Sequence, residues 1–159
     1  MSLILDGSNG LTFPNSTTQA SAGQVLQVVQ ASTNTPVTNT TQTLADSGVT
    51  ATITPKFSTS KILVIVNMNG IYNGGGNSGT RLSLVRSGSV VQAFSVYCNF
   101  LGTSTGLITV GGTNYLDSPA TTSATTYKVQ FCKSDSGGSS VNLQWNNDYS
   151  TITLLEIAQ

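Results

Sequence analysis

The longest unbroken apolar run in the chain covers residues 60–70, and it alternates between two sets of mostly apolar positions. The first set is Ile62, Val64, Val66 and Met68, and the second is Leu63, Ile65 and Asn67. β-Branched residues favour the pleated conformation, and a strand with two apolar faces is typical of the middle of a packed sheet. The pattern predicts a central strand and requires that something cover each of its faces.

Shorter strands with one apolar face are predicted before this centre. Residues 24–30, 39–44 and 49–53 have strand patterns. A loop over residues 31–38 and the turn Asp46-Ser47-Gly48 separate them.

The same type of pattern continues after the centre. Residues 81–86 and 90–97 predict a hairpin, and residues 107–116 predict a strand with a bulge at Gly111-Gly112. The clearest predicted hairpin joins residues 127–132 to residues 141–146. Its expected core residues are Tyr127, Val129, Phe131, Val141, Leu143 and Trp145. With a last strand over residues 150–158, the pattern predicts an all-β antiparallel sandwich, most simply of jelly-roll type.

The first 23 residues differ from the rest because turn formers are frequent and apolar residues are sparse. Two apolar pairs, Leu3 with Leu5 and Leu11 with Phe13, flank the turn at residues 6–10. An isolated hairpin is marginal in water, so we expect these side chains to dock on a partner; a disordered tag is the alternative. The predicted organisation is an attachment arm over residues 1–23 and one β-sandwich domain over residues 24–159.

Composition narrows the possible partners. Only 8% of the residues are charged, with six basic and six acidic side chains, so there is no basic patch for nucleic acid. Because a free soluble surface is normally rich in charge, we expect partners to cover much of this one; an extracellular domain coated with Thr, Ser and Asn is the alternative. No apolar stretch reaches the roughly 18 residues of a membrane span, and no secretion signal begins the chain, so synthesis in the cytosol is expected.

Candidate chemistry is sparse. The chain has no histidine, which removes the usual general base and the commonest metal ligand. All the aspartates lie at turn signals, where they commonly hold the local backbone. Cys98 and Cys132 are expected to be lone thiols inside strands. We therefore expect no enzyme activity, no metal and no cofactor.

Aromatic and amide side chains in two loops are candidates for receptor contact. Amphipathic aromatics with adaptable polar neighbours are typical of recognition loops, although they also occur as rim residues of a core. The first loop is glycine-rich and lacks the lysine and hydroxyl residues of a phosphate site. The candidate residues are Tyr72, Asn73, Asn77, Asn146, Asp148 and Tyr149.

Four stretches in this order resemble a known group of proteins. They are D-G-S-N-G-L-T-F-P-N-S-T-T-Q (residues 6–19), G-Q-V-L-Q-V-V-Q (23–30), Y-L-D-S-P-A-T-T-S-A-T-T-Y-K-V-Q (115–130) and S-T-I-T-L-L-E-I (150–157). Together they resemble bacteriophage virion proteins, common in cyanophages and marine phages, that form tail-fibre ends or small structural proteins. The resemblance implies a trimeric β-domain on the virion surface, attached by its N-terminal arm, and it carries over no catalytic residue.

The expected function is therefore that of a tail-fibre or host-attachment protein located in the virion. Its expected partners are two further copies of itself, other virion proteins bound through the arm, and a host-surface glycan. A capsid decoration protein that stabilises the head and a lectin-like carbohydrate-binding module both remain alternatives.

Overall fold

The computed structural model describes residues 4–6, 10–12, 18–19, 24–102 and 106–159, with backbone only for the first three segments. The described part contains thirteen strands and one 3-10 turn, Trp145–Asn147. The strands are β1 (Ile4–Asp6), β2 (Gly10–Thr12), β3 (Thr18–Gln19), β4 (Val25–Thr33), β5 (Val37–Asn39), β6 (Ala45–Ile53), β7 (Lys61–Asn73), β8 (Ser78–Arg86), β9 (Ser89–Leu101), β10 (Leu107–Asp117), β11 (Thr125–Lys133), β12 (Val141–Leu143) and β13 (Ser150–Ile157).

Two antiparallel sheets form the main domain. The first has the order β4-β13-β7-β10, and the short strands β12 and β5 continue it beside the far end of β7. The second has the order β6-β11-β8-β9. The four long strands of each sheet, in these orders, make a jelly roll, which confirms the predicted all-β sandwich.

The core lies between the two sheets, and β7 is at its centre. Ile62, Val64, Val66 and Met68 of β7 are 0–1% exposed, as the alternation predicted. Tyr127, Val129 and Phe131 of β11 and Leu82 and Leu84 of β8 face them from the second sheet and are all fully buried. Each such side chain contributes about 1.5–3 kcal/mol through burial, so this layer carries much of the stability.

The second face of β7 is only partly covered. Leu63 lies in register with Leu155 of β13 and Leu116 of β10, and Leu155 is in register with Val28 of β4. This apolar row crosses four strands, yet Val28 is 58% exposed and Leu116 is 51% exposed. The expectation that something covers both faces is therefore met on the inner face, whereas the outer row keeps much of its contact with solvent.

Three local predictions were wrong. The turn at Asp46-Ser47-Gly48 is part of the continuous strand β6, because Gly48 adopts a positive φ of 81° and the ladder with β11 absorbs the irregularity as a register shift. Most of the loop predicted over residues 31–38 is strand. Conversely, residues 40–44 are loop, although a strand was predicted there.

The predicted hairpin between β11 and β12 is also wrong. Strand β12 pairs with β5 and β7, in the opposite sheet from β11. It ends at Leu143 because Gln144 takes the left-handed conformation, with φ 54°. Trp145 consequently lies in the 3-10 turn and is 36% exposed, instead of facing the core.

A buried carboxylate ties the two sheets together at one end. Asp117, at the end of β10, accepts hydrogen bonds from Arg86 Nη1 at 2.7 and 2.8 Å and from the hydroxyl of Tyr127 at 2.6 Å. Both donors belong to the second sheet. Burial, followed by the hydrogen bond to Asp117, raises the pKa of Tyr127 well above its usual range. This carboxylate links two sheets, so a simple turn role is wrong for Asp117.

In the arm, β1 and β2 pair as an antiparallel hairpin that places Leu5 opposite Leu11. Strand β3 adds to β2, and the three form a sheet of their own. This agrees with the predicted hairpin as far as the backbone is concerned. Leu3 and Phe13 lie outside the described residues, and docking of the arm stays a prediction.

Candidate functional site

The central strand separates two ends of the domain. At one end Lys61 pairs with Ile157 of β13, which pairs with Val25, the first residue of β4. The chain from the N-terminal arm therefore joins the domain at this end. The other end of β7 is formed by Tyr72 and Asn73, roughly 40 Å away at the usual strand rise.

At the second end the 3-10 turn crosses closely over β7. Gly70 has a φ of +57°, and a Cβ atom placed on it would lie 2.5 Å from the backbone nitrogen of Trp145. Only glycine allows this approach. Asn69 then fixes the far side of the turn, because its side-chain amide donates to the carbonyl oxygen of Tyr149 at 2.6 Å.

Tyr72 is held inside an aromatic layer. Its ring stacks on that of Trp145, with centroids 4.5 Å apart and planes 20° from parallel. A Cβ atom on Gly106 would come within 2.5 Å of the tyrosine ring, so the backbone at Gly106 passes close to that ring. Tyr72 is half-buried and mainly supports Trp145, while Trp145 has the more exposed ring.

Asn73 is a structural residue, and its assignment to a contact surface was wrong. It is fully buried, and its side-chain amide donates to the carbonyl oxygens of Ser78 and Asn99. Its side-chain oxygen accepts the N–H of Gly75 at 2.9 Å. These bonds fix the glycine-rich loop internally and leave no polar atom of the amide for a partner.

Asn77 is exposed, but it lies in the loop between β7 and β8, away from the 3-10 turn that contains Trp145. It has a φ of 63°, and its backbone N–H donates to Leu101 O at 2.7 Å. The loop around it packs on the loop after β11, where a Cβ atom on Gly76 would lie 2.8 Å from Gly138 Cα. Both glycines are required by this close packing.

The remaining candidates come together at the 3-10 turn. Asn146, Asp148 and Tyr149 are all exposed, and Tyr149 is 62% exposed. Asn146 and its neighbour Asn147 both have positive φ angles and are exposed, and the side-chain amide of Asn147 donates to the carbonyl oxygen of Asn34 at 3.4 Å. We call residues 144–149 the display turn.

Trp145 and Asn147 were missed as candidates. The alternating pattern assigned Trp145 to a strand face, although the three polar turn formers Asn146, Asn147 and Asp148 follow it directly. That cluster was the signal that the strand ends before the tryptophan.

The other carboxylates are used for structure. Glu156 is fully buried and accepts hydrogen bonds from Gln27 Nε2 at 2.6 Å and from the backbone N–H groups of Lys56 at 2.7 Å and Phe57 at 3.4 Å. Burial acts to raise the pKa of this carboxyl, but the hydrogen bonds outweigh it and hold the pKa below its usual value. Asp46 lies in a strand and accepts hydrogen bonds from Lys128 and Gln130, so the predicted turn role is wrong for it too.

Cys98 and Cys132 are free thiols, and burial raises the pKa of each. Within residues 24–102 and 106–159 no three His, Cys, Asp or Glu side chains are grouped as a metal site would require. In the described segments, no helix has the length and apolar character needed to cross a membrane.

A cleft of about 360 Å³ lies at the end where the arm joins the domain. Its apolar lining comes from Leu26, Phe57 and Ala158, and Gln24 forms part of its wall. Phe57 is 56% exposed there. The domain thus has an apolar cleft at the arm end and the display turn at the other.

No family model matches the chain, and no curated protein is significantly similar to it. Among solved structures, it is similar to a chain in a structure of infectious bursal disease virus, Gx strain, with a TM-score of 0.42 and 16% identity over 84% of this chain and 33% of that one. For the Gt strain of the same virus, the TM-score is 0.38 and the identity 18%, over 99% and 38% of the chains. Dimeric latent PorU from Porphyromonas gingivalis gives a TM-score of 0.33 and 13% identity, over 88% and 14%. This chain therefore spans only about a third of the virus chains, and at these TM-scores the likeness assigns it no function.

Proposed function

We propose that the protein is a non-enzymatic structural protein of a bacteriophage virion surface, of the tail-fibre or host-attachment type. The observation that carries this proposal is the separation of the arm junction from the display turn by the full length of β7. A protein with this layout can be fixed at one end and present exposed aromatic and amide side chains at the other. The resemblance of four sequence stretches to phage virion proteins supports the same function.

The arm would supply the attachment. Burying Leu3, Leu5, Leu11 and Phe13 on a partner would contribute up to roughly 6–12 kcal/mol before ordering costs are subtracted. Several copies that attach to one particle strengthen each other, because the binding of one raises the effective concentration of the next. A short arm is therefore sufficient to hold the protein on a virion.

Deletion of residues 1–22 tests the attachment. Phage particles produced with the truncated protein should lack it, whereas the truncated protein should still unfold cooperatively in solution. Quantitative mass spectrometry of purified particles measures the copy number. A Leu5→Asp, Leu11→Asp double variant should also be lost from particles, and Thr17→Asp, a matched polar change in the same arm, should be retained.

Incorporation of the truncated protein at normal copy number would contradict an arm-based attachment. Gold labelling of intact particles then separates the two virion locations. Label at the fibre tips supports host attachment, and label over the head supports the alternative of a capsid decoration protein.

Carbohydrate binding is a second candidate function, and the exposed rings of Trp145 and Tyr149 favour it. Aromatic rings beside amide and carboxylate groups can contact the apolar face of a sugar and hydrogen-bond its hydroxyl groups. A glycan array with the purified protein should show binding that Tyr149→Ala abolishes. Phe57→Ala, which removes an exposed ring at the opposite end, is the matched control and should bind normally. Binding that is equal in both variants would exclude the display turn.

A further inference from the structure

The outer face of the first sheet changes in polarity along its strands. Three successive rows cross β4, β13, β7 and β10, with one residue from each strand in register. The row nearest the arm junction is the apolar row: Val28, Leu155, Leu63 and Leu116. The next is Gln30, Thr153, Ile65 and Asn114, and the third is Ser32, Thr151, Asn67 and Gly112. Only the first of the three rows is apolar throughout.

The apolar row keeps contact with solvent that the polar rows can use and it cannot. In the second row, Gln30 Nε2 donates to Thr153 Oγ1 at 2.9 Å. In the apolar row, Val28 is 58% exposed and Leu116 is 51% exposed. Single apolar residues scattered over a surface are ordinary, but a continuous row indicates a surface that a partner covers.

The surroundings of the apolar row are almost uncharged. Its four strands contain three charged residues, of which Asp117 and Glu156 are buried. The third, Lys61, is in register with Ile157, one row nearer the arm junction. The cleft at the same end, where Phe57 is 56% exposed, adds further apolar surface near the junction. The surface that fits this end of the domain is therefore apolar and uncharged.

The length of the connection places any protein that holds the arm close to this row. Residues 20–23 join Gln19, at the end of β3, to Gln24 at the start of the domain. Even fully extended, the chain from Gln19 to Gln24 spans at most about 17 Å. Val28 lies three residues beyond Val25, or about 10 Å along β4. A protein bound to the arm sheet is thus within reach of the apolar row.

We propose that the apolar row is a second attachment contact, which packs against an apolar, uncharged face of the same virion protein that binds the arm. This inference rests on the proposed attachment through the arm and adds a surface of the domain to it. The partner is therefore a protein that offers one site to the arm and an adjoining site to the row.

The two contacts complement each other. The row is only about 14 Å wide across its four strands, whereas a stable interface buries about 800 Å² on each partner. The row can thus supply one part of an interface, and the arm supplies another. Because the connection between them is short, binding of the arm raises the effective concentration of the row at its own site.

Two lysine variants and a matched control test the second contact. Val28→Lys and Leu116→Lys each place a charge in the apolar row at an exposed position, and urea denaturation verifies that each variant folds. Particles are assembled with equal amounts of wild-type and isotope-labelled variant protein, and mass spectrometry gives the ratio incorporated. Each variant should be incorporated at least about tenfold less than wild type, because one of two linked contacts is lost. Ser32→Lys, with the same charge two rows farther along the same face of β4, should match wild type.

The arm deletion separates this inference from the proposed function. Normal incorporation of both row variants, with loss of the protein that lacks residues 1–22, would overturn the inference and leave attachment through the arm intact. Normal incorporation of the truncated protein would contradict attachment through the arm and, with it, the second contact. If a lysine variant failed to fold, Val28→Ser and Leu116→Ser should still lower incorporation at least about threefold.

Two measurements on the isolated protein test other occupants of the row. A smaller mass of Val28→Lys than of wild type in light scattering would assign the row to a contact between copies and overturn the proposal. Faster hydrogen–deuterium exchange of β4 and β10 peptides after deletion of residues 1–22 would assign the row to the chain's own arm and also overturn it. Equal masses and equal exchange are the expected results.

Discussion

The two long sides of the sandwich are built differently. On the β4–β6 side, Gln27 reaches from β4 to the carbonyl oxygen of Thr54 at 2.7 Å and to Glu156 at 2.6 Å. On the β9–β10 side, Val96, Tyr97 and Val110 are between 47% and 68% exposed, and no exposed charge accompanies them. One side satisfies its polar groups within the chain, while the other leaves apolar side chains exposed. The two sides therefore differ in how far the chain itself satisfies and covers them.

Removal of the Glu156 carboxylate should have the largest effect on stability. Glu156→Ala leaves the N–H groups of Lys56 and Phe57 without their acceptor, and it leaves the Gln27 amide with only the carbonyl oxygen of Thr54. We expect the free energy of unfolding to fall by about 3–5 kcal/mol, measured by urea denaturation. Val110→Ala, on the other side, should change it by less than about 0.5 kcal/mol. Equal effects of the two changes would remove the distinction between the sides.

The link between the sheets at Asp117 should be the next largest contribution. Asp117→Ala removes the acceptor of both Arg86 and the buried hydroxyl of Tyr127. Because Arg86 is partly exposed, with 33% of its side chain accessible, we expect a loss of about 2–3 kcal/mol in the same measurement. The double variant Asp117→Ala, Tyr127→Phe should lose less than the sum of the single changes, since the two residues share a hydrogen bond. Strict additivity would show that this bond contributes nothing.

Acid should weaken the β4–β6 side selectively. Burial of Glu156 opposes ionisation, yet its hydrogen bonds lower its pKa, and those from Lys128 and Gln130 lower the pKa of Asp46. A lowered folded-state pKa gives stability that is complete above the unfolded value of about 4 and is lost as the pH falls through the folded value. The urea concentration at the unfolding midpoint should therefore decrease as the pH is lowered from about 5 to about 3. This window extends about one pH unit to each side of the unfolded pKa. In Glu156→Gln the unfolding midpoint should depend less on pH. An unchanged pH dependence in this variant would assign the effect to other carboxylates.

The exposed pair of Asp46 and Lys128 should contribute least to stability. Their closest atoms are 2.7 Å apart, but 58% of the Asp46 side chain is accessible, so Asp46→Val should change the free energy of unfolding by less than about 1 kcal/mol. In the described residues β6 pairs only with β11, so loss of a charge from this edge strand should make the protein associate further at high concentration. Light scattering of the variant measures this association. Thr50→Val, which changes another residue of the same strand without removing a charge, is the control. No added association would mean that Asp46 does not protect this edge.

The central features of the fold could be predicted from local patterns. Residues 60–70 were recognised as the central strand because both alternating sets are apolar. The hairpin of β8 with β9 and the irregularity at Gly111 were also predicted, and the structure confirms both. These features depend on residues that are close in the sequence.

The wrong predictions involve positions where the backbone overrides the side-chain pattern. Gly48 bends a strand that turn residues had appeared to end, and the left-handed Gln144 ends a strand that alternation had extended to Trp145. The partners of β12 are residues 37–39 and 72–73, and no local pattern specifies such distant pairs. For the same reason, the sequence did not indicate that β9 and β10 come together as one apolar side.

Hydrogen–deuterium exchange of the unmodified protein tests the difference between the two sides most directly. If a partner covers the apolar β9–β10 side, peptides from β9 and β10 should exchange more slowly in wild-type protein than in Val110→Lys, while peptides from β4 and β6 should exchange equally in both. This result would identify the β9–β10 side as a surface that a partner covers. Equal exchange of β9 and β10 in the two proteins, or added protection confined to β4 and β6, would contradict the account.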